Sequence, residues 1–172
     1  MKAQPQHRVV SFDELRDVPL HVALVSPEIP PNTGNVARLC AATGCALHLI
    51  EPLGFRIDDR ELKRAGLDYW HSVNVVVHES LDAFLAASDR LQRWFFSTRG
   101  TSIYTQAPFA KGDVLVFGPE TKGLPKELLD RYPDRTLRIP MRPDSVRSIN
   151  LSTAAGIATY AALEKNGFPG LR

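Results

Sequence analysis

The sequence has few cysteines, no long apolar run and little net charge, and each of these absences excludes a class of protein. Its two cysteines, Cys40 and Cys45, lie in apolar surroundings, which favours a reducing cytoplasm over a disulfide-bonded secreted chain. No apolar run approaches the ~20 residues of a membrane-spanning helix. Residues 1–17 are polar and have no apolar core, so they do not form a signal peptide. We therefore expect a cytoplasmic protein that has no membrane partner.

Several common catalytic and cofactor motifs are also missing. Neither the Gly-x-x-x-x-Gly-Lys-Ser/Thr loop nor the Gly-x-Gly-x-x-Gly fingerprint is present, which excludes the two usual phosphate-binding loops. The sequence has no Gly-x-Ser-x-Gly elbow of an acyl hydrolase. Its five histidines, at positions 7, 21, 48, 71 and 78, do not have the spacing of metal ligands. We expect no metal to take part in the function.

The net charge of +2 does not by itself indicate a nucleic-acid partner. The distribution of the cations is more informative, because they are concentrated in two stretches. One contains Arg56, Arg60, Lys63 and Arg64, and the other contains Arg131, Arg135, Arg138, Arg142 and Arg147. Such clusters are more often solvated faces than binding sites. The alternative is a phosphate-binding surface, to which both copies of a dimer would contribute.

Apolar segments bounded by turn residues predict strands that alternate with helices. The strands are predicted at 21–26, 46–50, 73–77, 94–97, 114–117 and 136–139. The helices are predicted at about 33–43, 59–66, 80–91, 124–130 and 149–165, the first of them capped by Asn32 or Thr33 after an extended turn. This alternation is typical of a mostly parallel α/β sheet. One domain is predicted at 19–172, after a loosely ordered extension at 1–18.

Three loops that follow predicted strands hold polar residues that ordinary turns do not require. The loop at 118–123 joins a buried strand to a helix, which is where open α/β sheets place their ligands. Its two glycines would let a ligand approach the backbone closely. The loops at 32–38 and 148–153 are similar in character. A ligand site is therefore predicted at 118–123, with a plain structural turn as the alternative.

Five polar side chains in these loops are candidates for chemistry. Asn35 and Arg38 are three residues apart and share one helix face. Glu120 is the carboxylate of the second loop, and Ser148 or Asn150 can cap the last helix. For Asn35 and Arg38 a purely structural or surface role remains open at this point.

Taken together and in this order, the three segments resemble the motifs of the SPOUT RNA 2′-O-ribose methyltransferases. They are Asn-x-Gly-Asn-x-x-Arg at 32–38, Phe-Gly-Pro-Glu-Thr-Lys-Gly-Leu-Pro at 117–125 and Ile-Pro-Met…Ser-Ile-Asn-Leu-Ser at 139–152. Two further stretches, at 27–35 and 62–69, resemble the TrmL-type group that acts on the tRNA wobble nucleotide. The resemblance covers residues 20 to 170, and Val146 lengthens the loop before Ser148 relative to the family pattern.

The resemblance implies a fold, a reaction and partners. The fold would be a mostly parallel sheet flanked by helices, with a deep trefoil knot in the C-terminal part. The reaction would be methylation of the ribose 2′-hydroxyl of the wobble nucleotide, a cytidine or uridine in the tRNA anticodon stem-loop. The methyl donor would be S-adenosylmethionine, the assembly a homodimer, and neither metal nor DNA would be involved. The alternatives are a ribosomal RNA 2′-O-methyltransferase and a non-catalytic RNA-binding protein on the same scaffold.

The resemblance also implies site residues. Those expected at the cofactor are Phe96, Ser97, Thr98, Gly118, Glu120, Ile139, Met141 and Ser148. Those expected at the reaction are Arg38, Asn35, Glu120, Asn150 and Ser148. Arg38 would be the base, or would orient the hydroxyl and stabilise charge; we prefer the second role, because a guanidinium is hardly ever neutral.

RNA contacts are implied by the same resemblance. The cations expected to contact phosphate are Arg56, Arg60, Lys63, Arg64, Arg131, Arg142 and Arg147. Tyr69 and Trp70 would stack on exposed anticodon bases, with core packing as the alternative for Trp70.

Overall fold

The computed structural model describes residues 10–57 and 67–172, without the side chains of residues 67–69. Within this part of the chain, seven strands form one parallel sheet in the order β3-β2-β1-β6-β4-β7-β5. In chain order they are β1 (His21–Val25), β2 (Ala46–Ile50), β3 (Val75–His78), β4 (Arg93–Phe96), β5 (Ser102–Ile103), β6 (Val114–Phe117) and β7 (Thr136–Arg138). The sheet confirms the predicted α/β class.

Helices cover both faces of the sheet. They are α1 (Pro30–Thr43), α2 (Leu81–Ala87), α3 (Lys126–Arg131) and α4 (Leu151–Lys165), with short 3₁₀ segments at Asp13–Leu15, Leu67–Ser72, Tyr104–Gln106 and Pro133–Arg135. On the first face, α1 and α4 pack over alternate strand residues such as Val22, Leu24 and Leu115. On the second face, α2 and α3 pack over Ala23 and Val116. Because helices cover both faces, every residue of β1, β4 and β6 is buried.

Helix α1 begins earlier than the sequence predicts. Pro30 and Pro31 are its first residues, where a backbone N–H has no partner within the helix and proline is therefore tolerated. The N-cap is Ile29, which makes no side-chain cap, so the predicted capping role of Asn32 or Thr33 is wrong. The other end is as predicted, with Gly44 at a φ of 75° and its N–H bonded to the carbonyl of Cys40.

Helix α2 ends sooner than predicted, at Ala87 instead of Leu91. The Ser88 hydroxyl donates to the carbonyl of Phe84 at 2.8 Å, and the Arg93 guanidinium donates to that of Leu85 at 2.8 Å. The two side chains thus donate to carbonyl groups at the end of α2 that the backbone N–H groups of a further helical turn would otherwise satisfy. The structure also contains the two-residue strand β5, which the sequence analysis missed. The helix predicted at 59–66 lies wholly outside the described residues.

Three histidines form a row on the second face of the sheet. His21 Nδ1 lies 2.9 Å from His48 Nε2, and His48 Nδ1 lies 3.0 Å from His78 Nε2. The ring of Phe12 stacks on His48 with centroids 4.5 Å apart, and Phe84 packs from α2. Burial lowers the pKa of His21 to about 4 and holds the pKa of His48 well below its usual range. The imidazoles are therefore neutral in the folded protein and use one another as hydrogen-bond partners.

The residues before β1 pack on the same side of the sheet. Leu15 is buried against Ala46 and Val76, with Val10 and Val18 beside it. Residues 1–9 lie outside the described part. None of the helices described has the combination of length and apolar character needed to cross a membrane.

Candidate functional site

The three polar loops meet at the carboxyl edge of the sheet, around one cavity of about 460 Å³. The ends of β4, β6 and β7 form its floor, and the segment before α4 closes one side. All eight residues predicted to contact the cofactor line it, namely Phe96, Ser97, Thr98, Gly118, Glu120, Ile139, Met141 and Ser148. The parallel arrangement of the strands places them together, because the ends of such strands share one edge.

The cavity combines an apolar floor with a polar rim. Phe96 and Phe117 stack with their ring centroids 4.8 Å apart and an interplanar angle of 16°. Leu137 and Ile139 also line the floor. Residues 97–99 and 118–123, which include hydroxyl, carboxylate and cationic side chains, form the rim. Such a division suits a ligand that has both an aromatic and a polar part.

The loop at 118–123 folds tightly back on itself. The N–H of Gly123 donates to the carbonyl of Pro119 at 2.9 Å, and Gly123 has a φ of 68° that favours glycine. A side chain at Gly118 would overlap the backbone of Gly123 and Leu124. The geometry of the turn itself therefore requires both glycines, in addition to the close approach of a ligand that the sequence predicts.

The carboxylate of Glu120 closes the N-terminus of α1. It accepts from the backbone N–H of Glu28 at 2.7 Å, from that of Ile29 at 3.0 Å and from the side-chain amide of Asn32 at 3.3 Å. An acidic group is favourable there, because the first N–H groups of a helix have no partner within it. Glu120 thus binds the N–H of Glu28 and of the N-cap residue Ile29, immediately before the helix, and so fixes how the chain enters α1.

Asn32 joins the first loop to both of the others. Its side-chain amide donates to Glu120, and its oxygen accepts from Asn150 Nδ2 at 3.0 Å. Asn150 in turn caps α4, because its side-chain oxygen accepts from the backbone N–H of Ser152 at 2.9 Å and of Thr153 at 3.3 Å. This confirms the cap that was predicted at Ser148 or Asn150. We call Glu120, Asn32 and Asn150 the loop network.

Asn32 is the functional candidate that the sequence analysis missed. It is 5% exposed and lines the cavity, whereas Asn35 of the same motif was chosen. Asn32 lies about one helical turn before Asn35, which would have indicated that both residues belong to α1. This relation was not visible because α1 was expected to start after the prolines.

A second link ties the first loop to the loop after β6. The Glu28 carboxylate accepts from the hydroxyl of Thr121 at 2.7 Å and from its backbone N–H at 3.3 Å. Glu28 therefore donates to one loop residue through its backbone and accepts from the next through its side chain. Together with the loop network, this fixes residues 118–123 relative to α1.

The structure does not bring every predicted residue to the cavity. Asn35 and Arg38 are exposed on α1 and do not line it. Of the predicted RNA contacts, Arg147 lines the cavity, whereas Arg56, Arg131 and Arg142 are exposed elsewhere. Trp70 is buried in the first-face core, which confirms the alternative to base stacking. Arg60, Lys63 and Arg64 lie outside the described residues, as does the side chain of Tyr69.

Residues 19–160 match the SpoU rRNA Methylase family. A tRNA (cytidine(34)-2′-O)-methyltransferase of Saccharophagus degradans is 52% identical over 151 residues, which cover 87% of this chain and 97% of that protein. A solved structure concerned with the 2-OH methylation of C/U34 on tRNA superposes with a TM-score of 0.82 at 52% identity, over 86% of this chain and 96% of that one. An AdoMet-bound rRNA methyltransferase from Sinorhizobium meliloti has a TM-score of 0.78 at 25% identity, over 91% and 61% of the two chains.

Proposed function

The chain belongs to the SpoU rRNA Methylase family, and from this premise we propose that it methylates the ribose 2′-oxygen of the wobble nucleotide of tRNA. The observation that carries the proposal is the bonded set of three loops around one cavity. It occurs in a chain that is 52% identical, over 97% of the relative's length, to a tRNA (cytidine(34)-2′-O)-methyltransferase. Cytidine and uridine are both candidate targets, as in the neighbour that concerns C/U34.

The methyl donor in this proposal is S-adenosylmethionine, and the cavity fits it. Its volume of about 460 Å³ lies within the range of ligand pockets, roughly 300–1,000 Å³. The stacked rings of Phe96 and Phe117 and the side chain of Ile139 suit the adenine. Ser97, Thr98, Met141, Ser148 and the backbone at Gly118 would hold the rest. When bound, this cofactor supplies a methyl group activated by a sulfonium.

Glu120 has a different part in the proposed site from the one first expected. Its carboxylate already accepts three donors from the start of α1, so it serves the cofactor by holding the loop that carries Gly118. Asn150 acts in the same way through Asn32. The alignment of reacting groups depends on such fixed loops, because small displacements lower the rate strongly.

Arg38 is the proposed residue at the reacting hydroxyl. A 2′-hydroxyl is a weak nucleophile and requires orientation and charge stabilisation. Arg38 is exposed on α1 and lies outside the cavity of its own chain. We therefore propose that Arg38 of one copy, with Asn35 beside it, completes the cavity of a second copy.

A homodimer is accordingly part of the proposal, with α1 and α4 at the contact. The small residues Ala155, Ala158 and Ala162 of α4 are buried within their own chain. The outward side of this region instead presents Tyr160 and Phe168, which are 46% and 41% exposed with ring centroids 6.5 Å apart. Exposed aromatic groups of this kind are enriched in protein interfaces.

We also propose the trefoil knot and a cytoplasmic location, where tRNA is found. The order of the strands supports the knot. Strand β7 lies between β4 and β5, so the chain that joins β4 to β5 runs past the position that β7 later occupies. After β7, the chain returns to α1 at Asn150. An experimental structure with bound cofactor would test this threading directly.

The function is tested by incubating the protein with labelled S-adenosylmethionine and tRNA that lacks wobble methylation. Nuclease digestion and mass spectrometry then locate the label. We expect a 2′-O-methyl group at the wobble position, and none with Arg38→Ala, which should still bind the cofactor. Label in ribosomal RNA alone would overturn the substrate. Cofactor binding without transfer to any RNA would favour the non-catalytic alternative.

A further inference from the structure

Two exposed cations lie at the mouth of the cavity. Arg99 follows β4 and Lys122 follows β6, and both are exposed and line the cavity. Other cations are engaged: Arg93 bonds to Leu85 and Arg138 bonds to Thr101. The side chains of Arg99 and Lys122 make no ion pair or hydrogen bond with any residue that the structure describes.

The turns that carry both cations are nevertheless fixed. The backbone N–H of Arg99 donates to the Ser97 hydroxyl at 3.1 Å, and that of Gly100 donates to the Ser97 carbonyl at 3.1 Å. Lys122 stands between Thr121, which is held by Glu28, and Gly123, which closes its turn on Pro119. A charged group on an anchored turn loses less freedom when it binds a ligand than one on a mobile loop.

The two cations follow neighbouring strands at the same edge of the sheet. β4 and β6 are neighbouring strands, paired at Phe96 and Phe117, and their ends are therefore about 5 Å apart. Arg99 and Lys122 follow these paired residues within a few positions and so flank the same opening.

The charge of the cavity does not match the proposed cofactor alone. Arg99, Lys122 and Arg147 line it, against the single carboxylate of Glu120, which is already engaged with α1. S-adenosylmethionine carries a sulfonium, an ammonium and a single carboxylate, so it is net cationic and adds to the positive charge of the cavity. A polyanionic substrate at the mouth of the cavity balances that charge.

We propose, on the basis of the proposed function, that Arg99 and Lys122 form a clamp for an RNA phosphate adjacent to the target ribose. A guanidinium binds phosphate through paired N–H groups, and a lysine acts as a point charge, so the two are complementary in such a clamp. The clamp positions the substrate and takes no part in the chemistry of methyl transfer.

The test measures tRNA and cofactor binding separately in Arg99→Ala, Lys122→Ala and the double variant. We expect the KM for tRNA to rise about tenfold in each single variant, with kcat nearly unchanged. The slope of the logarithm of the RNA-binding constant against the logarithm of the salt concentration should fall in magnitude by about 1 for each lost phosphate contact. Affinity for S-adenosylhomocysteine should stay within about twofold of wild type. Lys122→Arg should restore tRNA binding.

Lys111→Ala is the matched control, because Lys111 is an exposed lysine just before β6, at the opposite edge of the sheet. A loss of cofactor affinity with normal tRNA binding would overturn the clamp and assign the cations to the cofactor carboxylate. Unchanged binding of both would overturn it as well. If the wild type transferred no methyl group to tRNA, the proposed function would fail. The clamp would still be tested independently, by comparing the binding of anticodon stem-loop RNA to the wild type and to the variants.

Discussion

The loop network at the sheet edge and the histidine row on the second face each join three segments through side-chain hydrogen bonds. In the row, His21, His48 and His78 bond ring to ring under Phe12. In the loop network, Glu120 and Asn150 bond mainly to backbone N–H groups beside an open cavity. The row is closed to solvent at its centre, whereas the network opens on the cavity.

The difference lies in what else holds the joined segments. The histidines stand on β1, β2 and β3, whose relative positions are already set by backbone pairing. The loops at 26–32, 118–123 and 147–150 are not paired as strands, so side-chain hydrogen bonds contribute more to where they lie. We therefore expect the loop network to control activity and the histidine row to control stability and its dependence on pH.

The largest effect is expected from Glu120→Ala. The variant leaves two N–H groups just before α1 without their acceptor and loosens the loop that carries Gly118, which keeps, among the described residues, only the link from Thr121 to Glu28. Because hydrogen bonds to a charged group contribute about 1.5–3 kcal/mol each, we expect kcat/KM to fall about 100-fold or more. Steady-state methylation assays check this. Glu127→Ala, which removes an exposed carboxylate of α3, should change little, and wild-type activity in Glu120→Ala would contradict the role of the network.

Asn32→Ala should have the next largest effect. It removes one donor to the Glu120 carboxylate, over a long distance of 3.3 Å, and one neutral acceptor from Asn150. Because both backbone bonds to Glu120 remain and a neutral contact contributes about 0.5–1.5 kcal/mol, kcat/KM should fall about tenfold. Asn32→Asp should fall at least as far, because it places a second carboxylate beside Glu120. If either variant changed the melting temperature but not the activity, the loop network would contribute to stability alone, as is expected of the histidine row.

The histidine row should make the protein sensitive to acid. Its imidazoles are neutral when folded, with the pKa of His21 lowered to about 4, while the unfolded chain binds protons below an ordinary pKa of about 6.5. Stability should therefore be level above about pH 7 and fall with acid, by up to about 1.4 kcal/mol per pH unit for each histidine. Urea unfolding between about pH 5 and pH 8 measures this.

The matched variants for that experiment are His48→Leu and His71→Leu. His48 is fully buried at the centre of the row, and His71 is exposed on the 3₁₀ segment. His48→Leu should reduce the loss of stability in acid and leave methylation at neutral pH unchanged, whereas His71→Leu should keep the wild-type slope. Equal slopes in all three proteins would show that the row does not govern the acid response.

The smallest effect is expected from Phe12→Ala, which opens one side of the row. Phe12 is half-buried and stacks on His48, so its truncation should lower the free energy of unfolding by about 1–2 kcal/mol. Activity should not change, because Phe12 is absent from the cavity lining. Denaturant unfolding and methylation assays on the same preparation would separate the two readouts.

Much of this architecture follows from local signals. The alternation of apolar segments with helices predicts a parallel sheet, and the rule that ligands bind at the strand ends led to the loop at 118–123. The two-residue strand β5 is too short to show an alternating hydrophobic pattern in the sequence. Asn32 was missed because two prolines marked the wrong helix start. Glu120 could be named as a site carboxylate, but not as the acceptor for N–H groups far away in the chain.

The histidine row shows a different kind of limit. His48 pairs in register with Ala23, and His78 pairs with Ile50. The three rings therefore meet on a diagonal across strands whose order and register no short stretch of sequence specifies. Their spacing in the sequence shows only that they do not match metal ligands, whereas their contacts with one another depend on strand pairing.

The bonds that Glu120 makes to the chain just before α1 have a consequence for recombination between relatives. Glu28 and Glu120 are 92 residues apart in the chain, yet they belong to one bonded unit. A chimera with a crossover between them takes the helix start from one parent and its acceptor from the other. Such hybrids should remain active only where both parents share the same pair, and crossovers before residue 26 or after residue 153 should be tolerated more widely.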